Sequence, residues 1–205
     1  VAAVNAVFKG RYRVVDGLFP APHPGALEGA PVARDVASAN ALLDDAGFKR
    51  APDGVRRAPD GRRMELDIVF ASGITPTLDL MTILAQQLGD VGITLRLEPQ
   101  PFRTLVGQTL RERKQRHLAF SALTWDPMSY GDTVVGSRFI PSADNAFQGQ
   151  NHAGWRNGEV DALLDRVPRT LDVAARESML KEISRAVVRE VPFIPLDSRP
   201  SVSMT

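Results

Sequence analysis

The sequence predicts an α/β fold built around a parallel sheet. Three segments have strand patterns: MELDIVF at 64–70 and ITLRL at 93–97 alternate apolar and polar residues, and LAFSALT at 118–124 is almost continuously apolar. Helical patterns separate them, so the order is β-α-β-α-β. Right-handed crossovers then place the three strands parallel in one sheet, with helices flanking it. The apolar run of the third strand predicts that both of its faces are covered.

The two helices between these strands have defined starting points. Thr75 is predicted to be the N-cap of the first helix, with Pro76 as its first residue. Its apolar face is predicted to contain Leu80, Met81, Leu84 and Leu88. The second helix is predicted to begin at Pro101. Its buried face is predicted to contain Phe102, Leu105, Val106 and Leu110.

Further elements flank this core. A short helix is predicted over residues 1–9 and an irregular Pro- and Gly-rich connection over 16–34. Asp35, Asn157 and Asp172 are each predicted to begin a helix. The Pro-Asp-Gly triplet occurs twice between Arg50 and Arg62, which predicts two turns around a short, solvated ribbon. The arginines there do not indicate nucleic-acid binding, because aspartates interrupt them and no aromatic residues interleave them.

Composition excludes several classes of function. The net charge is +1, whereas nucleic-acid binding needs a clustered basic excess. Cysteine is absent, so disulfides and thiolate metal sites are excluded. None of the three histidines stands at metal-ligand spacing, and no P-loop, GxGxxG or GxSxG motif occurs. The sequence predicts neither a metal nor a cofactor, and no apolar run approaches the ~20 residues of a membrane span.

The predicted sheet nominates three loops for ligand binding. Ligands of parallel sheets bind beyond the carboxyl ends of the strands, which here are Ala71–Thr75, Glu98–Phe102 and Thr124–Asp132. The third loop concentrates side chains suited to binding, because aromatic rings supply contact area and carboxylates pair with ammonium groups. These residues are Trp125, Asp126, Ser129, Tyr130 and Asp132. Trp125 as core packing and Asp126-Pro127 as a simple turn stay open as the alternative.

Other polar residues are candidates with weaker patterns. Ser72 precedes a helix start, where free N–H groups suit an anion, although capping alone also explains it. Arg103 lies in the first turn of its helix, where an anionic partner would offset the unfavourable dipole. Gln150 and Asn151 carry amides suited to peptide groups. Trp155 is open between packing and ligand contact.

Four stretches follow one another along the chain: AVNAVFKGRYRVVDGLFP, ARDVASANALLDDAGF, ILAQQLGDVGITLRLE, and the tail from WRNGEVDALL to VPFIPL. Together they cover nearly the whole chain. They resemble the extracellular solute-binding proteins of family 5, which serve peptide and nickel ABC importers. The helix D-x-x-x-A-x-x-L-L-x-x-A-G-[FY] and the tail elements N-x-E-[VF]-D-x-L-L and P-x-I-P-L carry the resemblance.

The resemblance implies a fold, a role and a location. Residues 1–205 are expected to form a single α/β lobe, lobe II of a periplasmic-binding-protein type II-like fold, cut from a two-lobed protein. The expected partners are the missing N-terminal lobe, a peptide or similar small solute, and ABC permease subunits. A periplasmic protein or an extracytoplasmic lipoprotein is expected, without enzymatic activity.

One position departs from the family's pattern. Many peptide binders of the family carry Asp three residues after the tryptophan of the strand-end loop, where this chain has Met128. Asp126 or Asp132 could take its place, or the solute lacks a free ammonium group. The loop SRFIPSADNAFQGQN is similar to a subset of the family, which adds Asn145 to the expected binding residues. The alternative hypothesis is a small-molecule enzyme of the α/β class that uses the strand-end cluster around Asp126, with Tyr130, Asp132 and His152.

Overall fold

The computed structural model describes residues 2–15, 17–28, 33–122 and 129–198. These residues fall into two units. The first unit contains the residues up to Lys9, Ala33–Leu110 and Lys114–Ala122, and the second contains the rest of the described chain. That residues 1–205 form one lobe of a longer protein stays a prediction.

Within the described ranges, helices and strands alternate along much of the chain. The α-helices are α1 (Ala2–Phe8), α2 (Val36–Asp45), α3 (Thr75–Gly89), α4 (Phe102–Thr104), α5 (Asp132–Val135), α6 (Gly158–Arg166) and α7 (Val173–Glu190). The strands are β1 (Arg13–Val14), β2 (Lys49–Arg50), β3 (Arg56–Arg57), β4 (Glu65–Ala71), β5 (Thr94–Gln100), β6 (Leu118–Ala119) and β7 (Asp197–Ser198). A π-helical turn, Leu105–Leu110, continues α4.

The first unit contains the predicted parallel sheet, in the strand order β5-β4-β6. β4 pairs with β5 from Glu65–Thr94 to Ala71–Gln100, and with β6 at Ile68–Leu118. The middle of β4 is buried on both faces, because Ile68 and Phe70 point to one side and Val69 to the other. The β-α-β-α-β prediction is confirmed.

The third strand differs from its prediction. β6 spans only Leu118–Ala119, and Leu118 is 39% exposed. The expectation of a strand covered on both faces is therefore wrong for residues 118–122, while 123 and 124 lie outside the described residues. Strand order explains the error, because β6 lies at an edge and β4 takes the doubly covered central place.

Helix α3 begins one position earlier than predicted. Ile74 is its N-cap and makes no side-chain capping bond, so the prediction of Thr75 as N-cap is wrong. Pro76 therefore falls within the first turn, where the N–H that proline lacks would have had no partner in the helix. The predicted apolar face is present, and Leu80 and Met81 are fully buried.

The Pro-Asp-Gly turns bound a small antiparallel ribbon, as predicted. β2 pairs with β3, and Arg57 forms an isolated bridge to Arg63. Three basic side chains here, those of Arg57, Arg62 and Arg63, are exposed and paired with acids, such as Arg62 with Asp60 at 2.6 Å. Arg56 is the exception to the solvated ribbon, because it is only 1% exposed.

The second unit packs its core between α5, α6, α7 and the irregular segment 17–28. Leu164, Ile183 and Val187 of the helices contact Leu18 and Phe19 in one apolar cluster. The predicted caps are confirmed: Asn157 accepts from the N–H groups of Glu159 and Val160, and Asp172 from that of Ala175. In the first unit, Asp35 caps α2 through the Ser38 N–H.

Two contacts hold the ends of the second unit. The buried Ser184 hydroxyl donates to the Gly25 carbonyl at 2.6 Å, which ties α7 to the segment 17–28. β1 pairs antiparallel with β7, so the extended chain after α7 returns to Arg13 and Val14.

Helix α7 ends on a strained valine. Val191 has φ 48° and ψ 53°, and its N–H donates to the Val187 carbonyl at 2.8 Å. Glycine is the usual residue at this left-handed position, because a β-branched side chain crowds its own backbone there.

We expect Val191→Gly to stabilise the protein by about 1 kcal/mol, since the left-handed strain exceeds the burial lost from a side chain that is 55% exposed. Urea denaturation measures the change. The control is Val188→Gly in the last turn of α7, which should destabilise by about 1 kcal/mol. Destabilisation by both substitutions would contradict the strain at Val191.

Candidate functional site

The first two loops nominated by the sequence follow β4 and β5, which are neighbours in the sheet. Ala71 pairs with Gln100 at the carboxyl ends of β4 and β5, and the Ser72 N–H donates to the Gln100 carbonyl at 2.7 Å. Ser72 itself is exposed, as are residues 73–76. The structure thus brings Ser72 to the start of the loop after β5, which leads directly into Arg103.

Phe102 and Val106 were both predicted to be buried, and both are exposed, at 66% and 44%. The reason is the π-helical turn, whose hydrogen bonds link residues five apart, so that Leu105 and Leu110 are the buried pair at 2% and 3%. Thr109 secures the turn by donating its hydroxyl to the Gln100 side chain at 2.8 Å. Phe102 is a candidate surface residue that the sequence did not indicate. The spacing of five residues between Leu105 and Leu110 is the sequence signal that could have indicated the π-helical turn.

Arg103 is exposed beside Phe102 and forms no hydrogen bond or ion pair with another described residue. By contrast, Arg56, Arg62, Arg63 and Arg96 of the same unit are all paired with acids. The carboxyl end of β5 therefore presents a guanidinium and an aromatic ring to solvent.

A paired charge lies further back in the same sheet. Asp67 is buried, and Arg96 donates to its carboxylate at 2.7 Å. This hydrogen bond lowers the pKa of Asp67 below its ordinary value, against the opposing effect of burial. The His117 Nδ1 accepts the Asp67 backbone N–H at 3.1 Å, beside the start of β6. These contacts assign Asp67 and His117 to the support of the sheet.

The third nominated loop is described only in part. Trp125 and Asp126 lie outside the described residues, as do Pro127 and Met128. Ser129 and Tyr130 follow, both half-buried, and Tyr130 packs against the core of the second unit. The Ser129 hydroxyl accepts the Gly131 N–H at 3.1 Å, in the turn that leads into α5.

Asp132 is the first residue of α5, where its charge suits the helix N-terminus. Its carboxylate lies 3.5 Å from Arg138, whose guanidinium also pairs with Asp165 at 3.0 Å. The same guanidinium stacks over the Phe139 ring, 4.9 Å from its centroid. Asp132 is half-buried and shares its counter-ion with Asp165, so part of its charge is available to a ligand.

The asparagines of the loop 142–155 support its backbone. The Asn145 side chain accepts from the Ser142 and Gln148 N–H groups and donates to the Ile140 carbonyl. Asn151 is 1% exposed, and its amide donates to the carbonyls of Gly136 and Trp155 and accepts the Trp155 N–H. Both amides are therefore occupied within the protein.

Gln150 and Trp155 differ in their surroundings. Gln150 is exposed, and its side-chain oxygen accepts from the Thr133 hydroxyl at 3.4 Å. Trp155 packs against the core of the second unit and donates its indole N–H to Glu190 at 2.9 Å. This bond lowers the pKa of Glu190, with further help from Asn157 and Arg189. The open question about Trp155 is resolved in favour of packing.

His23 is a residue that the sequence did not connect with these loops. Its Nε2 lies 2.9 Å from the Ser129 carbonyl, and its Nδ1 accepts the Gly25 N–H at 3.0 Å. Burial lowers the pKa of His23, and the bond to the Ser129 carbonyl opposes this less strongly. Its position, more than 100 residues before Ser129 in sequence, explains why no local pattern could show the contact.

The described part of the chain shows no group of three or more His, Asp or Glu side chains that could hold a metal ion. No described helix is long and apolar enough to cross a membrane.

Known proteins resemble the chain in sequence and in fold. Protein XP55 of Streptomyces lividans is 27% identical over 190 residues, which cover 92% of this chain and 33% of that protein. The oligopeptide-binding protein of Thermus thermophilus, solved with a pentapeptide, has a TM-score of 0.86 at 23% identity and matches 97% of this chain with 35% of its own. The oligopeptide-binding protein of Thermotoga maritima, solved with mannohexaose, has a TM-score of 0.80 at 22% identity, over 95% of this chain and 38% of its own.

These structures confirm the predicted α/β fold of the periplasmic-binding-protein type II class. This chain spans about one third of the length of the relatives it matches. The family model described as "Bacterial extracellular solute-binding proteins, family 5 Middle" matches residues 2–145, more than half of the chain. The chain therefore belongs to the bacterial extracellular solute-binding proteins of family 5.

Proposed function

We propose that this chain is the C-terminal lobe of a two-lobed protein that captures a peptide or a similar small solute for an ABC importer. The family match over residues 2–145 is the observation that carries the proposal. The partners would be an N-terminal lobe, with which the solute is enclosed, and permease subunits in the membrane. The protein would act outside the cytoplasm, in the periplasm or as a lipoprotein.

In the first unit, we propose that Ser72, Phe102 and Arg103 contact the solute. They lie at the carboxyl ends of β4 and β5, where ligands of parallel sheets bind. An exposed aromatic ring offers apolar contact to a side chain, and a guanidinium without a partner among the described residues suits a carboxylate. A peptide presents both groups.

In the second unit, we propose that Ser129, Tyr130, Asp132 and Gln150 contribute polar contacts. Trp125 and Asp126 belong to the proposed set on their sequence pattern alone. We propose a framework role for Asn145 and Asn151 instead of a ligand contact, because both amides bond to backbone groups between Gly136 and Trp155.

The class of solute is the part of the proposal most in need of a test. Of the two structural relatives, one was solved with a pentapeptide and the other with mannohexaose. The guanidinium of Arg103 favours an anionic solute over a neutral sugar, which has no charge to pair with it. We therefore place a short peptide with a free carboxyl terminus first.

A thermal-shift experiment on the protein encoded by the complete reading frame tests this function. Pentaalanine and mannohexaose serve as the two probes. We expect a rise in Tm that increases with peptide concentration, because a ligand that binds only the folded state stabilises it by mass action. A rise with mannohexaose alone would contradict the peptide class, and no rise with a broad set of short peptides would contradict peptide capture.

The predicted contact of Arg103 has its own test. We expect the protein to bind pentaalanine about tenfold more tightly than the carboxyl-amidated peptide, because a charge-assisted bond contributes on the order of 1.4 kcal/mol. Arg103→Gln should bind both peptides equally, as measured by isothermal titration calorimetry. The control is Arg62→Gln, whose side chain is 84% exposed and paired with Asp60, and it should keep the tenfold difference. A difference that survives in Arg103→Gln would exclude this contact.

The alternative of an α/β-class enzyme has less support from the described residues. Its central residue, Asp126, lies outside them. The matching family and the two structural relatives are binding proteins by name.

A further inference from the structure

The imidazole of His23 joins two segments of the second unit that are far apart in sequence. Its ring stacks on Phe19, with centroids 4.0 Å apart and planes 12° apart. Nδ1 accepts the Gly25 N–H, and Nε2 therefore carries the proton that is donated to the Ser129 carbonyl. The neutral ring thus holds the turn 23–25 on one side and Ser129 on the other.

The segment around Ser129 depends on this contact for its position. The Ser129 hydroxyl accepts the Gly131 N–H, and Gly131 has φ +75°. A Cβ at Gly131 would lie 3.1 Å from Leu18 and 3.3 Å from Phe19, so this segment packs closely on the one that carries His23. Asp132 then begins α5. The bond to the Ser129 carbonyl lies at the start of this connected run.

Protonation of the ring is incompatible with the contact to Gly25, whereas Nε2 would still carry the N–H that is donated to the Ser129 carbonyl. An imidazolium has an N–H at both nitrogens, so Nδ1 would face the Gly25 N–H donor without an acceptor. The charge would also lie in a half-buried place beside a phenyl ring, where it is poorly solvated.

Among the described residues, charged groups on the segments packed against His23 do not stabilise a protonated imidazole. The titratable side chains on these elements include Glu28, Tyr130, Asp132, Lys181 and Arg185. Within the described ranges, none of them forms a hydrogen bond or ion pair with the His23 ring, which bonds to Ser129 and Gly25. Burial therefore lowers the pKa of His23 in the folded state and favours the neutral ring.

The lowered pKa makes the anchored arrangement more stable at neutral pH than in mild acid. Below pH ~6.5 an unfolded or released histidine takes up a proton that the anchored ring does not. The anchored arrangement is therefore fully favoured above pH ~6.5 and loses stability as the pH falls toward the folded-state pKa.

We propose that His23 is a pH-sensitive anchor that positions Ser129–Asp132, so that mild acid releases this segment and weakens the binding of solute to it. The effect on the solute rests on the proposed function. The anchoring itself does not, because it is a property of the free chain. His23 is thus a positioning residue that acts through Ser129.

Hydrogen exchange by NMR tests the anchoring on this chain without a ligand. We expect protection of the Gly131 amide, corrected for the intrinsic exchange rate, to fall by up to about tenfold between pH ~7.5 and pH ~5.5. Protection of Ile183 in α7 should stay constant as an internal reference. Constant protection of Gly131, while the Gly25 amide shift reports protonation of His23, would overturn the proposal.

Two variants separate the pH effect from general destabilisation. His23→Gln keeps an N–H donor for the Ser129 carbonyl but does not titrate, so Gly131 protection should be the same at both pH values. His23→Phe keeps the stacking on Phe19 without either hydrogen bond, so Gly131 should be poorly protected at both. If either variant fails to fold, the wild-type profile alone decides the outcome. A pH-dependent loss in His23→Gln equal to that of the wild type would also overturn the proposal.

A second measurement concerns the solute. Pentaalanine binding at pH ~7.5 and pH ~5.5 is compared between the wild type and His23→Gln of the protein from the complete reading frame. We expect a loss of affinity on acidification in the wild type only. Binding that is equally strong at both pH values in the wild type would overturn the effect on the solute. Absence of peptide binding at both would count against the proposed function, and the exchange experiment would still decide the anchoring.

Discussion

Replacing Arg56 by methionine should destabilise the first unit by about 3–5 kcal/mol, a large part of the total stability of an ordinary domain. Arg56 is 1% exposed, and its guanidinium is the centre of a hydrogen-bond network. Methionine retains much of the apolar stem but donates no hydrogen bond. The substitution therefore isolates the contribution of the guanidinium from that of packing.

The network connects parts of the first unit that are separate in sequence. Nε donates to the Val91 carbonyl at 2.8 Å, and Nη2 donates to the Asn40 side chain at 2.8 Å. Nη1 donates to Asp44 at 2.7 Å and also to the Phe48 carbonyl. Without the guanidinium, these acceptors lose their donor, and each that stays buried costs about 1–3 kcal/mol.

Removal of the Arg56 guanidinium costs less free energy at the half-exposed Asp44 carboxylate than at the buried carbonyls. Its side chain is 48% exposed, so water can solvate it when Arg56 is absent. The hydrogen bond from Arg56 is the main reason that the pKa of Asp44 is lowered. The stability that this bond contributes is present at neutral pH and is lost only as the pH falls through the folded-state pKa, below ~4.

The neighbouring Arg57 provides a matched control. It lies on the same strand, its side chain is 43% exposed, and it pairs with Asp53 at 3.6 Å. Arg57→Met should change stability by less than about 1 kcal/mol, as is typical of exposed ion pairs. Arg56→Lys should fall between the two, because an ammonium cannot reach all of the acceptors at once.

Far-UV circular dichroism during urea denaturation measures these differences. The sequence of the first unit contains no tryptophan, so tryptophan fluorescence alone would miss its unfolding. Hydrogen exchange of the β3 and β4 amides gives a local measurement. Equal stability of Arg56→Met and Arg57→Met would show that the buried network contributes no more than a surface pair.

Arg56 also illustrates what the sequence could not reveal. Its place among aspartates and turn residues predicted a solvated side chain, and that prediction holds for Arg62 but fails for Arg56. Burial of Arg56 requires acceptors from α2, from the residue before β2 and from the turn before β5. No local sequence pattern indicates that these three segments lie together in the fold.

Most predictions that depend on neighbouring residues were confirmed, with the N-cap at Thr75 as an exception. The caps at Asp35, Asn157 and Asp172 follow from a side chain and an N–H group two or three residues later. The parallel order of β4, β5 and β6 follows from the alternation of strand and helix, because crossovers have a fixed hand.

Predictions that depend on distant partners or on a shift of hydrogen bonding were less successful. β6 has an apolar sequence but lies at an edge of the sheet, since strand order is set by tertiary pairing. Phe102 and Val106 fit an α-helical face, and a single π-helical turn moved them to the surface. For the candidate site, the carboxyl end of β4 was predicted to within one residue, whereas β6 ends at Ala119, short of its predicted end. The sequence could not show that the Asn151 amide bonds to the carbonyls of Gly136 and Trp155.

A single methyl group added at Gly149 should strongly destabilise the loop that carries Gln150, although Gln150 itself is exposed. We expect Gly149→Ala to destabilise the second unit by at least about 3 kcal/mol. Gly149 has φ +109°, and a Cβ there would lie 2.0 Å from the Phe139 carbonyl oxygen. The obstacle is backbone, so the loop must move away from residue 139.

Such a movement would break other contacts of the loop. The Phe139 carbonyl accepts the Asn151 N–H at 3.2 Å, and the Gln150 N–H donates to the Thr133 carbonyl at 3.0 Å. Separation of residues 139 and 149 therefore draws Gln150 away from Thr133 and exposes the buried amide of Asn151. The position of a proposed ligand contact and the stability of the second unit thus depend on the same close approach.

Two other glycines separate the causes of this effect. Gly10 has φ +72° with nothing near its missing Cβ, so Gly10→Ala should cost only the conformational strain, about 1–2 kcal/mol. Gly154 has φ +71° and a missing Cβ 2.0 Å from the Arg113 guanidinium, which can move at the cost of its bond to the His152 carbonyl. The expected order of destabilisation is Gly149→Ala, then Gly154→Ala, then Gly10→Ala.

Trp155 makes this order measurable, because it packs against the core of the second unit and is held by the Asn151 amide. Urea denaturation followed by tryptophan fluorescence gives the free energy of unfolding for each variant. If Gly149→Ala costs no more than Gly10→Ala, the loop yields to the added methyl group. The position of Gln150 would then be adjustable, and solute binding through it would proceed by rearrangement. A large cost would indicate that the loop holds Gln150 in place by itself, so the proposed ligand contact there would cost little conformational entropy.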